Sequence, residues 1–407
     1  MNGNVTKEGI KRDLEWMHQV GVGGLQNFDA QLFTPQVVEK RLSYMTPEWK
    51  DAFRYAAELS DKLDLELAIA SSAGWSETGG PWVTPEQGIK KFVWSETVVE
   101  GGKPFAGALA APPSLTGPFQ DVPAPKDRIA AETGKPTPQF YADTLVVAYP
   151  LPEGAEPAQG KLSSSAGKVD AAVLSDGRHE TTVDLPATTA QAGTWLQTDY
   201  AKPQTISSAT LGLKIGAASL LAAHLEASDD GKAFRPVASF PEGGVARRTI
   251  SFPPATARSF RVRFDAYRWI EGLDRLGSTP GAVILSTFDA SKAPATIGVT
   301  QFSLYEAARV HAAELKAGFA LVPNYYALET PASVGAQPVA ANGVIDLTGK
   351  MSADGRLDWT PPKGRWKVLR FGYSLTGKQN HPATPEATGL EVDKLDRAAV
   401  KAYIETY

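Results

Sequence analysis

Glu391 and Asp393 stand two residues apart in the run Gly389-Leu390-Glu391-Val392-Asp393-Lys394. Side chains of an extended segment alternate between faces, so both carboxylates would point the same way. Two carboxyls that are close together and partly withdrawn from water hold their protons more tightly, as a general acid requires. Lys394 can oppose that effect or orient a partner. A structural role, binding backbone amides or a helix end, fits Glu391 as well, and the residues alone leave both readings open. Two further clusters offer complementary groups: Asn27 with Asp29, and Trp75 with Glu77 behind the flexible Gly74. Carboxylates and an amide bind hydroxyls directionally, while an indole ring accepts the apolar face of a sugar. Turn and cap roles would account for Asn27, Asp29 and Glu77 equally well.

Other chemistries find little support. The chain has no cysteine, which excludes disulfides, thiolate nucleophiles and Cys-ligated metals. Of the five histidines only His381 lies near these clusters, and it reads as structural; no HxH or HExxH spacing appears. Gly21-Val22-Gly23-Gly24 follows a helix and precedes a strand, the reverse of a dinucleotide fingerprint. P-loop and G-x-S-x-G patterns are absent. Asp229-Asp230-Gly231-Lys232 and Asp354-Gly355 read as turns, although calcium held by separate loops would leave no linear motif.

The elements that would position these groups change character along the chain. Thr6 is placed to cap a helix with Ile10, Leu14, Met17 and Val20 on one face, and Thr46-Pro47-Glu48 starts a second. Leu65 to Ala70 reads as a buried strand leading into the Trp75 loop. This strand–helix rhythm predicts a parallel α/β sheet. From Phe92 to about Tyr305 short β-branched runs alternate with turns, including candidate strands at 258–265 and 281–287. The rhythm resumes with a strong strand over 364–373 and a helix capped by Asp396. The economical reading is an α/β fold: a partial (β/α)8 TIM-type barrel interrupted by an inserted β-sandwich of jelly-roll, galactose-binding-like type. Residues 1–89 begin the barrel, 90–307 form the insert, and 308–407 continue the barrel. In such a barrel the Asn27, Trp75 and Glu391 segments follow strands and face the mouth of the active site.

The 407 residues are 43% hydrophobic and 21% charged, enough apolar material for real cores. Lys plus Arg number 41 against 45 Asp plus Glu, a net charge of −4 that gives no general attraction to nucleic acid. No apolar run approaches the roughly 20 residues needed for a membrane span. The first residues lack a signal-peptide pattern, and periplasm and cytoplasm both stay open. Both ends look cut. Oligomeric state leaves no mark in the sequence.

Several segments together resemble the α-L-rhamnosidases of glycoside hydrolase family 106. They are Asn2-Gly3-Asn4, Gly21 to Gly24, Tyr44 to Trp49, Ala73-Gly74-Trp75-Ser76 and Trp94-Ser95-Glu96-Thr97, and most strongly Arg370 to Gly377 followed by Gly389 to Lys394. The resemblance implies a (β/α)8 catalytic domain with added β domains, acting on a rhamnose-containing glycan or glycoside. It implies release of terminal L-rhamnose with inversion, and calcium near the site, with no metal ligand assigned. It matches Glu391 to the general acid, and Asn27, Asp29, Trp75, Glu77 and Asp393 to the sugar pocket. Family members are much longer, so this reading puts the later barrel units and the general base beyond Tyr407 and expects the isolated chain to be inactive. Two other readings are a carbohydrate-binding sandwich on an α/β scaffold and a purely structural sandwich.

Overall fold

In the computed structural model, Thr6 Oγ1 accepts a hydrogen bond from the Gly9 amide at 3.0 Å and opens helix α1 (Lys7–Gln19). Strand β1 (Gly24–Asn27) follows, then α2 (Pro47–Lys62), which has Thr46 as its cap and Pro47 in its first turn. Such caps satisfy amides that a helix start leaves unpaired. β2 is Glu66–Ile69, β3 Lys90–Glu100, β4 Phe105–Ala108 and β5 Tyr141–Pro150. Next come β6 (Lys161–Ser164), β7 (Val183–Pro186), β8 (Thr194–Lys214), β9 (Ser219–Leu220), β10 (Ala223–Ser228) and β11 (Arg235–Phe240). β12 (Arg247–Phe264), β13 (Arg268–Trp269), β14 (Thr296–Tyr305) and the short helix α3 (Ala313–Lys316) lead on to β15 (Ile345–Asp346). β16 (Arg356–Trp359), β17 (Arg365–Leu375) and α4 (Arg397–Thr406) complete the series. The structure describes residues 1–31, 34–70, 72–76, 78–124, 136–187, 193–214, 219–241, 245–269, 294–320, 322, 325–328 and 338–406. Glu77 and the strand expected over 281–287 lie outside the described residues.

Two compact units divide the chain. One comprises 1–93, 112–143 and 371–407; the other comprises 94–111 and 144–370. In the first, β1 and β2 pair in parallel from Gly24 with Glu66 to Asn27 with Ile69. Gly24 is required there, because a Cβ would lie 2.7 Å from the Glu66 carbonyl. Ala399 and Tyr403 of α4 pack with Leu375, Leu390, Val392 and Val83 in a small core. That core holds the strand-like segment carrying Glu391.

The second unit contains a seven-stranded sheet in the order β11-β10-β12-β8-β14-β7, with β6 also on β8, and every pair is antiparallel. Its core includes the fully buried Phe260, Phe264, Leu211, Leu225 and Ile250. Val99, Val146, Trp359, Trp366 and Val368 form a second cluster in this unit. β3, β5, β15 and β17 make a four-stranded sheet in the order β15-β5-β17-β3.

The expected fold class is corrected by this topology. A (β/α)8 barrel needs parallel strands, each hydrogen-bonded on both sides until the sheet closes. Here β1–β2 is a parallel pair in a two-stranded sheet, and among the described residues none of the sheets closes into a barrel. β17 pairs with β5 and β3 rather than joining β1, and residues 390–392 form only isolated antiparallel bridges. The result is a mixed α/β architecture with several antiparallel sheets. Strand–helix rhythm reports local elements, whereas pairing depends on contacts distant in sequence. The strand read as buried at 65–70 is also largely open: Leu65 is buried, but Glu66, Ala68 and Ile69 are exposed. No helix among the described residues is long and apolar enough to cross a membrane.

Candidate active site

The segment bearing Glu391 is held from three sides by backbone. The Glu391 amide donates to the Lys378 carbonyl at 2.9 Å, and the Glu391 carbonyl accepts from Ile89 at 3.0 Å. The Val392 amide donates to Thr78 at 2.9 Å, and the Gly80 amide to Leu390 at 3.2 Å. This crowding explains the glycines. A Cβ at Gly389 would collide with the Gly80 carbonyl, and one at Gly79 would lie 2.6 Å from the Asn380 Cβ. Leu390 and Val392 turn into the core, while the Glu391 side chain keeps 13% of its surface. Its Oε2 accepts from Thr78 Oγ1 at 3.3 Å and from Lys394 Nζ at 2.6 Å. Glu391 thus has a fixed backbone and a mostly buried carboxylate with two polar neighbours.

The Trp75 loop is tied to the same region. Gly74 has φ +83°, and a Cβ there would sit 2.6 Å from the His381 carbonyl carbon, so only glycine allows the approach. The Trp75 amide donates to the His381 carbonyl at 3.2 Å, and Ser76 Oγ donates to it at 3.0 Å. Trp75 itself is 53% exposed. Asp29 joins from the other side: its carbonyl accepts from the Gly74 amide at 2.6 Å, and its Oδ2 accepts from Trp49 Nε1 at 2.9 Å. Burial pushes the Asp29 carboxyl above its ordinary range. The Trp49 hydrogen bond and the amino terminus oppose the rise, Glu386 adds to it, and Arg41, paired with Glu386 at 2.6 Å, opposes it.

The sequence model of glycoside hydrolase family 106, described as alpha-L-rhamnosidase, matches residues 1–407. The chain belongs to this family. A solved structure of a rhamnosidase from Novosphingobium sp. PP1Y is 45% identical, with a TM-score of 0.83 over 100% of this chain and 35% of that one. A Formosa agariphila protein named "Putative beta-glucuronidase" is 23% identical over 405 residues, covering 100% of this chain and 20% of its own length. The chain therefore spans about a third and a fifth of these two relatives.

Within this family-106 chain the other expected site residues have different surroundings. Asp393 Oδ1 accepts from the Leu395 amide at 3.1 Å, and Oδ2 lies 3.8 Å from Lys90 Nζ, which places it at the turn into α4. Asn27 ends β1, where its carbonyl accepts from the Ala70 amide at 3.0 Å. Three neighbours were not expected: Thr78 and Trp49, which contact carboxylates, and Asn380, which is buried between the loops. Trp49 closes the Tyr44–Trp49 segment that resembles the family, a signal the sequence carries; Thr78 and Asn380 carry no local signal. Calcium is implied by the family resemblance alone. Among the described residues no group of three or more His, Asp or Glu forms a metal site, and Glu391 and Asp393 already face lysine ammonium groups.

Proposed function

We propose that this chain is part of an inverting glycoside hydrolase that releases terminal L-rhamnose from glycans or glycosides, with Glu391 as general acid. Family membership over the whole chain supports the substrate class. The observation that carries the residue assignment is the fixed, partly open Glu391 carboxylate between Thr78 and Lys394. Trp75 offers a stacking plate to the sugar, and Asp29, Asn27 and Asp393 offer hydroxyl contacts. The sugar's leaving oxygen takes the proton of Glu391 as its bond to the anomeric carbon breaks. The Lys394 ammonium then faces the remaining carboxylate. Inversion requires a second carboxylate roughly 6.5–9.5 Å from the acid, which removes a proton from the water attacking the opposite face. That base belongs to the part of the longer relatives that this chain does not span, so activity is a property of the full-length protein.

The test is Glu391→Gln in the full-length enzyme. Loss of a general acid lowers turnover by about 10²–10⁴-fold. The expected loss is of that order on a rhamnoside with a poor leaving group and much smaller on an aryl rhamnoside whose phenolate departs unaided. Near-normal turnover of the poor substrate by a folded variant removes Glu391 from the role.

A further inference from the structure

We propose that Asn380 is a positioning residue for the Glu391 acid, a role that rests on the reading of Glu391 given above. Asn380 is 1% exposed and uses its whole amide. Nδ2 donates to the Ala73 carbonyl at 2.9 Å and to the Ala387 carbonyl at 3.0 Å, and Oδ1 accepts from the Gly389 amide at 2.9 Å. Its own backbone amide donates to the Gly389 carbonyl at 3.2 Å, so Asn380 grips Gly389 twice. Ala73 lies two residues before Trp75, and Gly389 lies two before Glu391. One side chain thus fixes the spacing between the aromatic plate and the acid.

The chemistry of the grip explains the residue type. Two main-chain acceptors and one main-chain donor converge on a dry position, and a primary amide supplies the matching two donors and one acceptor. An ionised aspartate would satisfy Gly389 but turn an anion toward two carbonyls. Alanine would leave all three groups unpaired, and unpaired buried polar groups carry the full cost of their lost hydration. The lack of a side chain at Gly79 makes room for Asn380, since a Cβ there would lie 2.6 Å from the Asn380 Cβ.

The experiment compares Asn380→Ala, Asn380→Asp and Glu391→Gln in the full-length enzyme, on one rhamnoside with a poor leaving group and one activated aryl rhamnoside. For Asn380→Ala the fall in kcat on the poor substrate should exceed that on the activated one by on the order of tenfold, with KM little changed, because a displaced acid matters where protonation matters. For Asn380→Asp, lowering the pH restores an O–H donor toward one carbonyl, so its kcat on the poor substrate should recover relative to the wild-type profile. Equal losses on both substrates by Asn380→Ala, without acid recovery in Asn380→Asp, reduce Asn380 to a stability residue and overturn the proposal. A leaving-group effect in Glu391→Gln alone overturns the Asn380 role but keeps the acid. Its absence from Glu391→Gln overturns both.

Discussion

Lys91 shows how far a single residue can be from what its type suggests. It is 6% exposed, and its ammonium donates to the carbonyls of Leu115 at 2.9 Å and Gln120 at 2.7 Å. Burial brings its pKa down to about 8 from 10.5, with Asp121 opposing the fall. Between these two values the unfolded chain binds the proton that the folded chain has released, so this group makes stability rise with pH across that window. Below it both states are charged and the contribution is flat. Urea melts of wild type and Lys91→Met at about pH 7.5 and pH 10 read the effect, since the variant lacks the titrating group. Wild type should gain on the variant as pH rises; a constant or shrinking difference contradicts the burial of a charged amine. Neither Lys91 nor Asn380 could be found from sequence, because their partners are main-chain carbonyls that any residue supplies. Trp75 stood out because Gly74 permits a close backbone approach, and Glu391 because it alternates with Asp393 just before a capped helix.

Elements were legible at their starts and illegible in their pairing. Thr6 and Thr46 cap α1 and α2, and Asp396 Oδ1 accepts from Ala398 and Ala399 at 2.9 and 3.1 Å to start α4. Those bonds reach three residues or fewer, so the local sequence contains both partners. β17 was equally clear as a strand, yet its alternating residues are silent about whether β5 or β1 lies beside it. The strand-like segment at 389–392 carries its own test. Gly389→Ala pushes a methyl group into the Gly80 carbonyl and should destabilise by about 1–3 kcal/mol, as overpacking does. Gly23 has open space around it, so Gly23→Ala should stay within about 0.5 kcal/mol of wild type. Chemical denaturation of the two variants decides the point: similar effects would mean that the Gly389–Gly80 contact is not tight.

At the level of the molecule, the two compact units draw on separate cores, and the larger one belongs entirely to the antiparallel unit. Phe260 is fully buried there on β12. Phe260→Ala should cost about 3–5 kcal/mol, the range for emptying a core aromatic site. Faster hydrogen exchange along β8 and β12 should report it, and a loss below about 1 kcal/mol would show that the site collapses around the void. Composition foretold that such a core exists, and the absence of cysteine foretold that packing alone must hold it. What composition and rhythm could not foretell is closure of a barrel, which depends on every strand finding two neighbours.

The bond between Thr78 and Glu391 joins residues 313 apart, and Ser76 meets His381 across 305. On a ribosome adding roughly 5–20 residues per second, Thr78 emerges about 15–60 s before Glu391 exists to meet it. Everything from 144 to 370, with the Phe260 core inside it, is translated in that interval. The stretch that supplies Trp75 therefore waits for its partner while the antiparallel unit is made, and the candidate active site can close only after that unit has left the ribosome's decoding centre.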